Sequence, residues 1–298
     1  MHFTIHLQTP PNPPKPSSSS SPQKQNINYH LPTPSTPHPA NNPRILNDAL
    51  TIRQKVFIDE QRCSPEGEID QDEGRSWHWV VYHQSSAFSP GGDGDGVVQG
   101  EERGRLQQGG GGGGGKKVVI SLDFGGDNHF DTLPRNGGDG RTGAGSGSGL
   151  GPVATIRLVP PPNRHEHEHE HEHEHGQEDH LSSGGDAPPI QTGEPYIKLT
   201  RVAVMPEYRG YGLGRALVEG AVEWARGHAR EIDAAAAAAA AATSGENTPW
   251  KGLVLVHAQT QVEKLYQRCG FVTDESMGRW DEEGIEHLGM WRRVDLVD

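Results

Sequence analysis

A glycine-rich turn between a strand pattern and a helix pattern is the part of this sequence best suited to bind a ligand. From Thr200 to Gly214 the chain reads T-R-V-A-V-M-P-E-Y-R-G-Y-G-L-G, and a helical pattern continues from Leu213. Glycines let a ligand approach the backbone closely, and the N–H groups of a first helical turn are unpaired. The positive end of the helix dipole adds to their attraction for negative charge. The sequence therefore predicts a site for a phosphate or pyrophosphate.

Two common nucleotide-binding motifs do not fit this turn. A dinucleotide fingerprint needs G-x-G-x-x-G directly after the first strand, whereas this strand lies deep in the chain and is followed by R-G-x-G-x-G. A P-loop ends in G-K-[ST], but Arg215 and Ala216 follow Gly214. A glycine-tolerant turn without a ligand remains an open alternative at this point.

A second segment supports a coenzyme-binding interpretation. Leu253–Val256 is a continuous apolar run typical of a buried strand. A helix is predicted from Gln261 to Cys269, and Gly270 ends it before another strand begins at Phe271.

Together, the two segments resemble the GCN5-related N-acetyltransferase (GNAT) superfamily. Arg209, Gly212 and Gly214 fill its pattern [RQ]-x-x-G-x-[GA], and A-Q-x-x-V-x-x-L-Y-x-x-x-G-F is similar to its second motif, with Gln259 where the family often has Asn. The resemblance implies acetyl-CoA as donor substrate, with its pyrophosphate on the turn and its pantetheine arm along the preceding strand. The coenzyme-binding residues that it implies are Val202, Val204, Arg209, Gly210, Tyr211, Gly212, Leu213, Gly214, Arg215 and Gln259.

Two further segments resemble the ElaA-like branch of this superfamily, which is related in layout to glucosamine-phosphate acetyltransferases. One is R-x-x-V-F-x-x-E-Q from Arg53 to Gln61, followed by Glu68, Asp70, Asp72 and His78. The other is E-E-G-I-x-H-x-x-M from Glu282 to Met290.

The resemblance also implies a general acid. Tyr266 would lie near the acetyl-CoA sulfur and protonate the departing thiolate, a task suited to a phenol with a reference pKa of about 10. The alternative is a helix tyrosine that only packs on the sheet. The general base stays open among Glu60, Glu68, Asp70, His78, Glu283 and His287, with Glu68 and Glu283 favoured. We expect no acetyl-cysteine intermediate on Cys63 or Cys269.

We expect an α/β fold with a mixed sheet flanked by helices, the GNAT acyl-CoA N-acyltransferase fold. Only 32% of residues are hydrophobic, with 40 Gly and 23 Pro, and the apolar deficit is concentrated in a few segments. A candidate first strand occupies residues 1–9, and one acetyltransferase domain is predicted over residues 44–298. Disordered, low-complexity insertions are predicted at residues 10–43, 85–117, 136–151, 160–194 and 234–248. The poly-alanine run Ala234–Ala242 in the last of these favours a helix and is expected to extend the helix predicted from Gly212 to Asp233.

Composition also excludes several classes of protein. The net charge of −13 argues against a nucleic-acid partner, and no run reaches the ~18 apolar residues of a membrane helix. Two cysteines and the lack of a signal peptide predict an intracellular protein, cytoplasmic or nuclear. The His-Glu repeat from His165 to His175 is interpreted as low-complexity sequence, and we expect no metal cofactor.

The sequence thus predicts an acetyl-CoA-dependent N-acetyltransferase in which a primary amine attacks the thioester directly within a ternary complex. The acceptor is expected to be a small-molecule amine or an amino sugar. A protein N-acetyltransferase and a non-catalytic acyl-CoA-binding scaffold are the alternatives, and the oligomeric state is left open.

Overall fold

The structure, a computed structural model, describes residues 1–11, 28–84, 119–123, 150–162, 194–241 and 248–297. Most of the predicted insertions, including the His-Glu repeat, lie outside these residues. The described strands are β1 His2–Gln8, β2 Trp77–Gln84, β3 Val119–Asp123, β4 Leu150–Val159, β5 Tyr196–Val204, β6 Leu253–Gln259, β7 Val272–Thr273, β8 Arg279–Glu282 and β9 Ile285–Arg293. The α-helices are α1 Arg44–Arg53, α2 Leu213–Gly227, α3 Ala229–Ala241 and α4 Glu263–Arg268.

The chain divides into two compact units. Unit 1 comprises residues 1–157 and 201–221, and unit 2 comprises residues 158–200 and 222–298. The chain passes from one unit to the other within β4, β5 and α2.

Unit 1 has the strand order β3-β1-β2-β4-β5, in which β1 is antiparallel to β2 and parallel to β3. Its core forms because α1 carries apolar residues at positions 45, 49 and 52, and the π-helical stretch that continues it adds Val56. These residues pack against Val80, Tyr82 and Ala203. The helix continues as a π-helical stretch, Gln54–Glu60, a form that is often found at functional sites.

Residues 28–43 differ from the expected disorder. Tyr29 is buried and packs with Leu46 and Leu50 of α1, and the Asn42 side chain donates a hydrogen bond to the His30 carbonyl at 2.6 Å. The composition of the whole segment did not indicate this contact, because only a few apolar residues, Tyr29 and Leu31 among them, take part in it.

Unit 2 has the strand order β5-β6-β9-β7, with β8 paired to β9. The parallel ladder between β5 and β6 joins Tyr196–Leu199 to Leu253–Val256, and β6 is antiparallel to β9. Leu253, Leu255 and Trp291 form a core cluster beside Tyr196.

The poly-alanine run is helical as far as Ala241 and forms part of α3 rather than an insertion that begins at residue 234. Nor does it extend the preceding helix, because α2 ends at Gly227. The His228 ring stacks on Trp224 at 4.3 Å and bonds the Trp224 carbonyl at 2.6 Å, which satisfies a carbonyl of the last turn. Ile232, Ala236 and Ala240 recur every fourth residue and are buried, so the alanines pack inward.

Parallel and antiparallel pairs occur in the sheet, and helices accompany it in both units, so the predicted α/β class with a mixed sheet is confirmed. Within the described ranges, no helix combines the length and apolar character needed to cross a bilayer.

Candidate functional site

The glycine-rich turn has the backbone conformation that its sequence predicts. Gly210 and Gly212 adopt left-handed φ angles of 81° and 79°. A Cβ atom built on either residue would meet nothing within 4 Å. Glycine is therefore required here for its backbone conformation, while the space beside the turn is open to a ligand.

Helix α2 begins directly after this turn. The Ala216 amide donates to the Gly212 carbonyl at 3.0 Å, which is the first bond of the helical ladder. The amides of Leu213, Gly214 and Arg215 precede that bond and have no acceptor within the helix. Leu213 is buried and anchors the helix start, whereas Arg215 is exposed and pairs with Glu219 at 2.8 Å. The start of α2 and the positive end of its dipole thus lie at the turn.

Arg209 is held in place by a residue that the sequence did not connect with the turn. Its Nη1 and Nη2 atoms donate to both carboxylate oxygens of Glu60 at 2.7 and 2.6 Å, and its Nε donates to the Val204 carbonyl at 3.1 Å. The hydrogen bond from Arg209 lowers the pKa of Glu60 and keeps it ionised. Glu60 ends the π-helical stretch, so this ion pair links the turn to the helix that begins with α1.

Strand β5 supplies the backbone next to the turn. Val202 and Val204 lie beyond Leu199, the last β5 residue in the parallel ladder with β6, and both side chains are partly exposed. The Met205 amide bonds the Val153 carbonyl at 2.9 Å and fixes the end of the strand against β4. Unit 1 therefore brings together the predicted coenzyme residues Val202, Val204 and 209–215.

Seven ionisable residues of unit 1 form what we call the charge cluster, namely Arg53, Glu68, Asp70, Glu73, His78, Arg157 and Arg201. Arg53 is fully buried and donates to the carboxylates of Glu68 and Glu73. Arg157 donates to Asp70 at 2.8 and 2.7 Å and to Glu73 at 2.8 Å. Two buried guanidinium groups therefore share three carboxylates.

The cluster fixes the protonation of its members. Burial would raise the pKa of Glu73, but Arg53 and Arg157 outweigh it and hold that pKa far below its usual range. Burial lowers the pKa of His78 to about 4 in spite of the nearby Glu73, so the ring is neutral at pH 7. Glu68, a predicted general base, is only 5% exposed and one of its oxygens is bonded by Arg53. Among the candidate bases, Asp70 and Glu60 are likewise bonded by arginines.

Tyr266, the predicted general acid, lies in α4 of unit 2. It is 5% exposed and packs edge to face on Phe271, with ring centroids 5.8 Å apart. Burial, followed by the charge of a Cys269 thiolate, raises the pKa of the phenol, so the hydroxyl stays protonated at neutral pH. Gln259, the predicted amide contact, ends β6 and accepts a hydrogen bond from Gln261 at 2.9 Å.

Glu283, the other favoured base, occupies the turn between β8 and β9. Glu283 and Gly284 have φ angles of 55° and 80°, the left-handed pair of a two-residue hairpin turn. On the same hairpin, the His287 Nδ1 lies 2.8 Å from the Ile285 carbonyl. A carbonyl can only accept, so in the neutral ring Nδ1 carries the proton and Nε2 carries the lone pair.

In the described part of the chain, no group of three or more His, Cys, Asp or Glu side chains is arranged to hold a metal ion. The charge cluster was not expected from the sequence, although four of its members, Arg53, Glu68, Asp70 and His78, lie in the R-x-x-V-F-x-x-E-Q segment and its continuation. Arg201 was not singled out at all.

Comparison with solved structures shows only distant similarity. The chain is 20% identical to an acyl-CoA N-acyltransferase from Pseudomonas aeruginosa, over 83% of this chain and 89% of that one, with a TM-score of 0.37. It is 16% identical to Escherichia coli ElaA, again over 83% and 89%, with a TM-score of 0.36. Neither similarity is strong enough to assign an activity.

Residues 185–273 match the family model of an acetyltransferase (GNAT) domain. The match spans less than a third of the chain, but it includes both the glycine-rich turn and the segment that carries Tyr266. The prediction of an acetyltransferase domain is therefore confirmed for this part of the chain.

Proposed function

We propose that this protein is an acyl-CoA-dependent N-acyltransferase that moves an acetyl group to a primary amine. The observation that carries the proposal is the left-handed glycine turn directly in front of the first turn of α2, within a segment that matches an acetyltransferase domain. Phosphate-sized anions bind at such helix starts because several N–H groups and the helix dipole act on them together.

The donor would bind in two parts. Its pyrophosphate would accept hydrogen bonds from the amides of residues 210–215, and its pantetheine arm would pair with the backbone of Val202 and Val204. That part of β5 is suited to the role because its ladder with β6 covers only Tyr196–Leu199.

In the reaction, the neutral amine attacks the thioester carbonyl, a C–N bond forms, and the C–S bond breaks. Backbone amides of β5 would stabilise the charge that develops on the carbonyl oxygen. The sulfur leaves as a thiolate and takes the hydroxyl proton of Tyr266. Burial raises the pKa of this phenol, which keeps it protonated before the transfer but also makes it a weaker acid.

A base must take the proton that the amine loses. Glu283 and Glu68 remain the favoured candidates, and of the other four candidate bases we also favour His287, because its Nδ1 contact leaves the Nε2 lone pair to accept a proton. Glu68 is the weakest of the three, since its carboxylate already neutralises a buried arginine.

We further propose that the chain belongs to the ElaA-like branch, that its acceptor is a small amine, and that it acts inside the cell. The segments Arg53–Gln61 and Glu282–Met290 support the branch. A protein N-acetyltransferase and a non-catalytic acyl-CoA-binding scaffold remain the competing functions.

A screen of amine acceptors with acetyl-CoA tests the proposal, with free thiol release as the signal and mass spectrometry of the product as confirmation. We expect turnover that depends on the amine and falls in Tyr266→Phe while CoA binding persists. Binding of CoA without turnover on amino sugars, amino acids, polyamines or peptides would favour the scaffold.

A further inference from the structure

Arg201 lies within β5 in a conformation that strand residues avoid. Its φ angle is 54°, in the left-handed region, which is unfavourable for a residue with a side chain. Such strain persists only where the surroundings fix it, and it is concentrated at sites of binding and catalysis. Arg201 directly precedes Val202, the first residue of the proposed pantetheine segment.

The guanidinium of Arg201 is poorly satisfied. Among the described residues it makes one hydrogen bond, from Nη2 to the Gly67 carbonyl at 2.8 Å. The nearest carboxylate oxygens, on Glu68 and Asp70, are 3.7 and 3.6 Å away, which is too far for a hydrogen bond. Its Nε is buried and has no acceptor in the described part of the chain. Buried donors without a partner are rare and require an explanation.

The other two arginines of the charge cluster differ from Arg201 in this respect. Arg53 and Arg157 donate to carboxylates, and their pKa values are raised. The pKa of Arg201 is lowered, first by burial and then by the positive charges of Arg157 and Arg53, which Glu68 and Asp70 do not offset. Glu68 and Asp70 lie within 4 Å of the Arg201 guanidinium, but in the described part of the chain no carboxylate accepts a hydrogen bond from it.

Arg201 is also the arginine of the cluster that solvent reaches. Its side chain is 23% exposed, compared with 1% for Arg53 and 4% for Arg157. A ligand can therefore approach Arg201 without displacing the buried part of the cluster.

We propose that Arg201 binds a carboxylate of the acceptor, and hence that the acceptor is a small amine with a carboxylate group, such as an amino acid. This inference rests on the proposed function. Two carboxylate oxygens match adjacent N–H groups of a guanidinium. Because Arg201 directly precedes Val202, an acceptor bound by Arg201 would lie near β5, where the thioester is proposed to lie.

The charges favour a carboxylate over a phosphate. Arg53, Arg157 and Arg201 balance Glu68, Asp70 and Glu73, and His78 is neutral. A carboxylate adds one negative charge to this balanced set. A phosphate dianion adds nearly two, beside Glu68 and Asp70, and meets more repulsion.

Matched acceptor pairs test the inference on the full chain. Free amino acids are compared with their amides, and glucosamine 6-phosphate with glucosamine, by kcat and KM at saturating acetyl-CoA. We expect a kcat/KM about 10- to 100-fold higher for the free acid than for its amide, the size of one charge-assisted interaction. Arg201→Gln should abolish this preference through KM, Arg201→Lys should keep part of it, and acetyl-CoA affinity should not change.

Arg75→Gln is the control, because Arg75 lies two residues after Glu73 of the charge cluster, is similarly exposed at 21%, and is paired with Asp72 at 2.7 Å. It should retain the preference for the acid. Equal use of acid and amide by the wild type, a preference confined to the phosphate pair, or an equal loss on both acceptors in Arg201→Gln would overturn the inference. If Arg201→Gln melts below the assay temperature, Arg201→Lys provides the same comparison.

Calorimetric titration of the acids and amides into the protein separates this inference from the proposed function. Binding of acids but not amides supports the carboxylate site even if no acceptor turns over, in which case the proposed function alone fails. Turnover of amines without any acid preference would leave the proposed function intact and remove the carboxylate site. Absence of acid binding together with absence of acid turnover also overturns it.

Discussion

The proposed pyrophosphate site can be tested with two variants that differ by one charge. Asn and Asp have nearly the same shape, and both tolerate the left-handed conformation that Gly212 adopts at φ 79°. A side chain at this position meets no atom within 4 Å, so neither variant should disturb the packing. Gly212→Asp and Gly212→Asn should therefore melt within a few degrees of each other.

Their affinities for CoA should differ. At ~5 Å from a phosphate charge, the added carboxylate costs about 1 kcal/mol in water and about 3 kcal/mol at an effective dielectric constant of ~20. This range corresponds to binding that is about 4-fold to about 200-fold weaker for Gly212→Asp than for Gly212→Asn. The difference should shrink as salt rises, since the site is at the surface.

Isothermal titration with CoA measures this ratio, and pantetheine, which lacks the pyrophosphate, is the ligand control. Both variants should bind pantetheine equally. If Gly212→Asp bound CoA as tightly as Gly212→Asn at low salt, the pyrophosphate could not lie on this turn, and the assignment of residues 209–215 would be refuted.

Four further outcomes follow from the structure. Tyr266→Phe should lower kcat by about 10²- to 10⁴-fold, the usual contribution of a general acid, and leave CoA affinity unchanged in a titration. Glu73→Gln should destabilise the fold by about 3–5 kcal/mol in urea unfolding, because Arg53 and Arg157 lose a shared buried partner, whereas Glu66→Gln, at an exposed site, should change little. The unfolding free energy should fall as pH drops from about 6.5 toward 4, because the unfolded chain protonates His78 before the folded chain does; a His78→Gln variant that kept the same slope would contradict this. Glu283→Gln and His287→Gln should identify the base. Protonation of the base makes kcat fall at low pH, and only the variant that lacks the base should no longer show this fall in its pH profile.

The sequence predicted the parts of the site that depend on local chemistry. The turn at Arg209–Gly214 follows from its glycines and from the strand and helix patterns beside it, and both glycines with φ near 80° were among the predicted residues. The apolar run of β6 and the helix with Tyr266 are local in the same way.

The charge cluster was not predictable because its members come together only in the folded chain. Arg53 meets Glu68 and Glu73 across 15 and 20 residues, and Arg157 meets Asp70 across 87 residues. Spacing along the sequence does not show which of several carboxylates an arginine will neutralise. Glu68 therefore looked like a base when considered alone, whereas its oxygen is bonded by a buried guanidinium.

The separate helix α3 and the packing of residues 28–43 were not predicted for a related reason. In each case a single aromatic contact takes part in the local structure, that of His228 with Trp224 or that of Tyr29 with α1. Averages of composition over ten or more residues do not register a single ring.

The most direct test of the proposed activity is the release of free CoA from acetyl-CoA in the presence of an amine, with the acylated amine quantified in the same sample. We expect one acylated amine per CoA released, weaker CoA binding in Gly212→Asp, and loss of turnover alone in Tyr266→Phe. CoA release that does not depend on an amine, or no release by a protein that binds CoA, would contradict it.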